Sequence, residues 1–371
     1  MGTRAKLGEV TLPSGTLVLL DMGLLGGWSH EAPPTAEPDM GLSETLFVDL
    51  EILGPDAARA AHLVAKQEAE REASEEMEAS AFDDDGDDDI AFYDIPTGAV
   101  ESIKMAFMAL AKANRLDAHV DVVRGRVPHA ERVRRSLAAG LGWGEVSFSI
   151  GNAVAVQVPE GAACDVVGER CDEDEECWKS VSVVLDPGEP VRREPSGAVV
   201  VEQARLLFGD LRTLGAWKHE ESLDGKVDLV FWGRDAEKIA RKVDAPALDD
   251  GNYGWKNIVE ADLDEGLLET LREAMEQRTL MADLRPHSHH YRVLEQVWSS
   301  PQESGTLELD GAKVCGFMTS WGDGVFAVFR ELDAQGKVVR VTVDFEGHAL
   351  DDEDDEDDED DEDDEEEPDA H

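Results

Sequence analysis

A chain of 371 residues with 84 aspartates and glutamates against 34 lysines and arginines carries a formal net charge of -50. Its length allows a sizeable buried core, and a hydrophobic fraction of 42% fits a folded chain. Such a field repels phosphates and anionic headgroups, which excludes nucleic acid and membrane surfaces as partners and favours basic proteins.

Part of the excess is local. The run DDEDDEDDEDDEDDEEEPD (351–369) holds 18 acids and no bases; without it 66 acids still face 34 bases, a net of -32. Acidity is therefore a property of the folded part too. The four cysteines, Cys164, Cys171, Cys177 and Cys315, are too few and too unevenly spaced for a disulfide scaffold. MGTRAKLGEV lacks the apolar core of a signal peptide, and LVLLDMGLLGGW (17–28) is short and interrupted by Asp21, so it is no membrane span. A cytoplasmic protein is expected.

In chain order, GEVTLPSGTLVLLDMG (8–23) reads as a hairpin around Pro13-Ser14-Gly15. A strand follows in ETLFVDLEIL (44–53), and DAARAAHLVAKQEAEREASEEMEA (56–79) predicts a helix opened by Asp56. FDDDGDDD (82–89) fails as a calcium loop. With Gly86 as the sixth position, Ala81 and Phe92 stand where acids are required. From Gly98 the order is helix, strand, helix, strand. A similar order follows Gly197, with AVVVEQARLLFGDLRTL (198–214) read as a helix, KVDLVFWG (226–233) as a strand and DAEKIARKV as a helix. Both stretches begin Ser/Thr-Gly-Ala-Val and reach a Gly/Trp turn (GLGWG, NYGW), which suggests an internal repeat. A helix over 264–280 and a C-terminal β-meander close the chain, its last strand alternating Val339, Val341, Val343 and Phe345 with polar residues. VPEGAACDVVGER and WKSVSVVLDPGEPV echo the final hairpin of that meander.

The fold class expected is α+β, mainly antiparallel sheet with packed helices. The segments are 1–81 (hairpin and charged helix), 82–97 (acidic linker), 98–192 (first α+β unit), 193–349 (second unit with the meander) and 350–371 (disordered polyacidic tail).

Nucleotide-binding, serine-hydrolase and zinc-protease motifs are absent, and Cys164, Cys171 and Cys177 are spaced too widely for a typical zinc site. The stretch RPHSHHYR (285–292) brings together His287, His289 and His290. His287 and His290, with a carboxylate, offer a metal site and hence a metal-dependent hydrolase. The alternative is a helix capped by Ser288, with Tyr291, Leu294 and Trp298 on its buried face, and this reading is preferred. TSWGDGVF (319–326) is a tight turn rather than a catalytic aspartate site.

PSGTLVLLD, VPEGAACDV with SVSVVLDPGEPVRRE, and TSWGDGVFAVFRELDAQGKVVRVTVDF together resemble uncharacterised bacterial proteins grouped as domain of unknown function 4241. They cover about a quarter of the chain. The glutamate-rich helix, the aspartate run and the acidic tail depart from that pattern. SGTLVLLDMGLLGGW also resembles the start of immunity proteins of bacterial polymorphic-toxin systems. Both resemblances imply interaction proteins without an assigned catalytic residue or cofactor. The reading reached is a non-enzymatic acidic protein of immunity or antitoxin type, masking a basic partner such as a nuclease toxin, with Trp321, Asp323, Phe326 and Trp255 as contact residues.

Overall fold

The structure, a computed structural model, describes residues 3–34, 47–75, 91–138, 140–148, 151–161, 163–172, 174, 176–248 and 251–346. The aspartate run 82–89 and the polyacidic tail lie outside them. The fold is α+β with antiparallel sheets. Its first half runs β1 (Arg4–Thr11), β2 (Thr16–Asp21), a 3-10 turn (Leu24–Gly27), β3 (Phe47–Leu53), α1 (Ala57–Glu75), β4 (Ala91–Pro96), α2 (Val100–Asn114), β5 (His119–Val122), α3 (His129–Ala138), β6 (Trp143–Phe148), β7 (Gly151–Gln157), β8 (Ala163–Arg170) and β9 (Trp178–Val184). Its second half runs β10 (Arg192–Val201), β11 (Arg205–Asp210), a 3-10 turn (Thr213–Ala216), β12 (Lys226–Trp232), α4 (Ala236–Val243), β13 (Tyr253–Val259), α5 (Glu265–Glu276), β14 (Met281–Pro286), α6 (His289–Ser299), β15 (Ser304–Leu309), β16 (Ala312–Met318), β17 (Gly324–Leu332) and β18 (Val338–Asp344).

Two six-stranded sheets, ordered β1-β8-β9-β18-β17-β10 and β15-β16-β11-β2-β7-β6, form a sandwich. Two three-stranded sheets, β4-β3-β5 and β13-β12-β14, carry helices of their own. β2 reads as an unbroken apolar run because its sheet is covered on both faces. Leu17 and Leu19 enter the sandwich core, whereas Val18 and Leu20 meet Val133 and Leu137 of α3 and Val293 and Val297 of α6. Each such buried aliphatic side chain contributes roughly 1.5–3 kcal/mol.

Several expectations are corrected. The N-terminal strands do not pair as a hairpin: β1 and β2 lie in different sheets, and both complete the sandwich to which residues 98–192 contribute. The end of the expected linker, Ala91–Pro96, is a strand paired with β3. Residues 198–214 are not a helix. The Val199–Val201 run suits a strand, and a turn with Ala204 at φ 51 separates β10 from β11. Of the C-terminal strands, β15 and β16 pair in one sheet and β17 and β18 in the other.

A repeat is present, in a register other than the Gly98/Gly197 one. Thr97 to Val100 leads into α2, whereas Ser196 to Val199 lies within β10. The two halves instead match element for element, β1 with β10 through β9 with β18; under that exchange each six-stranded order reads as a mirror of itself and the two three-stranded sheets change places. The hairpin echo is part of it: β8–β9 corresponds to β17–β18. Two sequence patterns follow the same register. Asp21, Leu25, Gly26, Trp28 and His30 match Asp210, Leu214, Gly215, Trp217 and His219. Val48, Asp49, Leu50, Gly54, Asp56 and Ala57 match Val227, Asp228, Leu229, Gly233, Asp235 and Ala236.

The halves meet about a pseudo-two-fold axis through the pairs Leu19↔Phe208 and Ser182↔Thr342, whose hydroxyls are 2.8 Å apart. Around it the contacts are reciprocal. Asp21 accepts the Glu202 and Gln203 amides of the other half (2.7 and 2.9 Å), and Asp210 accepts the Ser14 amide and hydroxyl (both 2.8 Å). The His219 ring lies over Gly26 and that of His30 over Gly215, where an added Cβ would sit 3.0 and 2.4 Å from the ring.

Candidate functional site

The three histidines of RPHSHHYR lie at the end of β14 and the start of α6, and they diverge. Ser288 caps α6, accepting the Tyr291 amide at 3.2 Å, as the serine-before-helix pattern predicts. His287 stands between two carboxylates, with Nδ1 3.1 Å from Asp224 and Nε2 3.1 Å from Asp228. Asp228, buried on β12, also accepts the Tyr291 hydroxyl at 2.9 Å and the Asn257 amide at 2.7 Å. His289 lies elsewhere: its Nδ1 accepts the Lys218 amide at 2.9 Å, and its own amide donates to the Lys218 carbonyl at 3.0 Å. His290 turns to His219, with Nδ1 2.7 Å from Nε2 and ring centroids 4.0 Å apart. His219 in turn accepts the Trp217 indole N–H at 3.2 Å.

The electrostatics follow from these partners. Burial pushes the His287 imidazole toward neutrality, but hydrogen bonds to Asp224 and Asp228 outweigh it and hold the ring protonated above the usual histidine range. Each ring nitrogen thus faces a carboxylate oxygen, an arrangement that suits a protonated imidazole donating to both. Burial drives His219 down to about 4 and His290 to about 3, leaving two neutral rings. Burial and the Asp228 carboxylate both raise the Tyr291 hydroxyl, which stays a donor. Among the described residues no group of three or more histidines, cysteines or acids is arranged to hold a metal ion.

No family model, curated protein or solved structure matches the chain. The second copy inside the chain provides a comparison of its own. Asp49, the counterpart of Asp228, accepts the Asp94 amide at 2.9 Å, as Asp228 accepts that of Asn257. Asp94 and Asn257 both have left-handed backbones, at φ 53 and 59. The cation beside it is Arg132 of α3, 3.4 Å from Asp49 and 2.7 Å from Asp94, where the second half uses His287. His129 corresponds to His289: its Nδ1 accepts the Ser29 amide at 3.0 Å, and it lies beside Trp28 as His289 lies beside Trp217. A buried aspartate with a cation, and a histidine tying the helix start to the residue after a tryptophan, therefore recur as framework. Only the His219–His290 pair and the His287 bridge are particular to the second half.

A pH prediction follows for His287. Because its folded pKa is raised, the stability it contributes is complete below the unfolded value of about 6.5 and is lost as pH rises through the folded value. Chemical denaturation of the wild type should show this decline as pH rises above the unfolded histidine value, and His287→Gln should flatten it. Equal pH slopes for the two proteins would contradict the bridge.

The expected contact residues are not brought together. Phe326 is 1% exposed inside the sandwich, edge-on to Phe345 at 4.8 Å, and cannot anchor a partner. Strand alternation places its neighbour Val325 outward instead. Trp321 is half-buried, its indole donating to the Trp178 carbonyl at 2.7 Å. Asp323 is exposed and accepts the Ala204 amide at 2.8 Å, tying its own turn to the one between β10 and β11. Trp255 is half-buried against Phe231 in the second small sheet, away from the sandwich core to which Trp321 packs. Trp298, expected on the buried face of α6, is 56% exposed under Arg285; Val293 and Val297 take the buried positions with Tyr291 and Leu294.

One further surface lies outside the expected contact residues. From Glu260 to Glu276, along the 3-10 turn Glu260–Asp262 and α5, seven acids are exposed with Arg272 as the one base among them. Met275 and Val259 are exposed beside them.

Proposed function

We propose that the chain is a non-enzymatic acidic binding protein that covers a basic protein partner, in the manner of a cytoplasmic immunity or antitoxin protein masking a nuclease toxin. The observation that carries this reading is the α5 surface. Its carboxylates supply long-range attraction, and exposed Met275 supplies apolar contact at closest approach. The engagement of His287 by two carboxylates supports the same reading, since Asp228 also accepts the Tyr291 hydroxyl and the cluster fastens the start of α6. Within the described residues no helix is long and apolar enough to cross a membrane.

Glu269, Glu273 and Glu276 share one helical face. Immobilised full-length chain should retain a basic protein from lysate of its source cell at about 50 mM salt and release it at several hundred millimolar. The Glu269→Lys/Glu273→Lys/Glu276→Lys variant should lose at least about tenfold in association rate for that protein. Where the captured protein is a nuclease, the wild type should inhibit its cleavage of DNA. Retention of no basic protein, or equal retention by the reversed variant, would overturn the proposal.

A further inference from the structure

Two of the four cysteines face each other outside the core. The antiparallel register of β8 and β9 pairs Arg170 with Trp178, and the ladder continues one step further, Cys171 donating its amide to the Cys177 carbonyl at 3.0 Å. Directly opposed antiparallel residues have Cα atoms about 4.5–5.5 Å apart and side chains on the same face of the sheet. That lies inside the ~4.4–6.8 Å range spanned by a disulfide. Both thiols are half-exposed, whereas Cys164 and Cys315 are buried in the sandwich core. The Cys177 sulfur lies 3.5 Å from the Asp174 carboxylate and 3.8 Å from the Ser320 carbonyl. The hairpin end thus abuts the turn that carries Trp321.

We propose that Cys171 and Cys177 are a thiol modification site, converted to a reversible intramolecular cystine by a low-molecular-weight disulfide such as oxidised glutathione. One protein thiolate attacks the S–S bond of the small disulfide, giving a mixed disulfide and one released thiol. The second cysteine then attacks the protein sulfur of that mixed bond and expels the second thiol. Two protein thiols are oxidised, one small disulfide is reduced to two thiols, and the two protons leave with the products. The bond closes a loop of five intervening residues and clamps the hairpin end beside Ser320, whose hydroxyl accepts the Trp178 amide at 2.8 Å.

The surroundings set the rate. Burial and neighbouring acids hold both thiols above the usual cysteine range, Cys177 at about 11, so exchange is slow at neutral pH and quickens as pH rises. A site of this kind responds to sustained oxidation and not to a brief pulse.

The test uses the folded full chain incubated with oxidised glutathione, acid-quenched, alkylated and digested with trypsin. Cys171 and Cys177 fall on one tryptic peptide, 171–179. The expected result is loss of two hydrogens from that peptide and release of two equivalents of glutathione per chain, with Cys164 and Cys315 alkylated only after unfolding. In Cys171→Ser a glutathione adduct should persist on Cys177. A stable adduct on either cysteine of the wild type, or an unreacted Cys177 in Cys171→Ser, would overturn the proposal. Neither outcome depends on a basic partner being found.

Discussion

Arg132→Met is expected to destabilise the protein by about 3–5 kcal/mol, because one partner of a buried charge network is removed and the other is left uncompensated. The Arg132 side chain is fully buried. It pairs with Asp49 and Asp94 and donates to the carbonyls of Val127 (3.0 Å) and Ser147 (3.2 Å). Without it Asp49 keeps the Asp94 and Val127 amides but loses its cation, and Asp94 keeps Arg126 alone. The pH dependence gives a second readout. Burial pushes the Asp94 carboxyl up, and Arg132 and Arg126 outweigh it, so its folded pKa is lowered. A depressed carboxylate contributes stability above its unfolded value, near 3.9, that is lost as pH falls through the folded one. The gap between wild type and variant should therefore be largest at neutral pH and narrow in acid. Urea denaturation at neutral and acid pH measures both, and a loss under about 1 kcal/mol at neutral pH would show that the network is not what holds α3 to β3.

Asp21→Ala and Asp210→Ala should each cost about 1–3 kcal/mol, since each buried carboxylate is the acceptor of three amides, most of them half-buried or exposed, that lose their partner. Asp21 accepts the amides of Gly23, Glu202 and Gln203; Asp210 accepts those of Ser14, Arg212 and Thr213. Each carboxylate closes its own 3-10 turn and also fixes the turn of the opposite half. If the pseudo-two-fold relation is energetic as well as geometric, the two losses will agree within about 1 kcal/mol, the ordinary scatter between equivalent sites. A near-neutral effect at either position would show that the halves are held by the strand ladders and the core alone. Single and double variants compared by equilibrium denaturation decide it.

Legibility varied with how local the signal was. The helices at α1, α4 and α5 were readable from apolar spacing, and α6 from Ser288 ahead of Tyr291 and Leu294. The last strand was readable from Val339, Val341, Val343 and Phe345, all buried. The duplication was legible too, in Asp21 to His30 against Asp210 to His219. The Thr-Gly-Ala-Val and Ser-Gly-Ala-Val coincidence points to a different register, one in which a helix start would face a strand. Phe326 and Trp298 differ from expectation for separate reasons. On β17 a one-residue step reverses the face, so Phe326 points in and Val325 out. On α6 a one-residue step turns the side chain by roughly 100°, and Val297 takes the buried position.

For the candidate site, residue type was legible and direction was not. The sequence alone determined an acidic α+β chain with a capped histidine-rich helix start, since charge, alternation and caps act within a few residues. That His287 meets Asp224 and Asp228, that His290 meets His219 of another segment, and that β1 and β2 part into separate sheets were decided by tertiary structure. Those contacts join residues about 60 or more positions apart in the chain. The choice between ligand, base and structural cation for an imidazole depends on what reaches it through space.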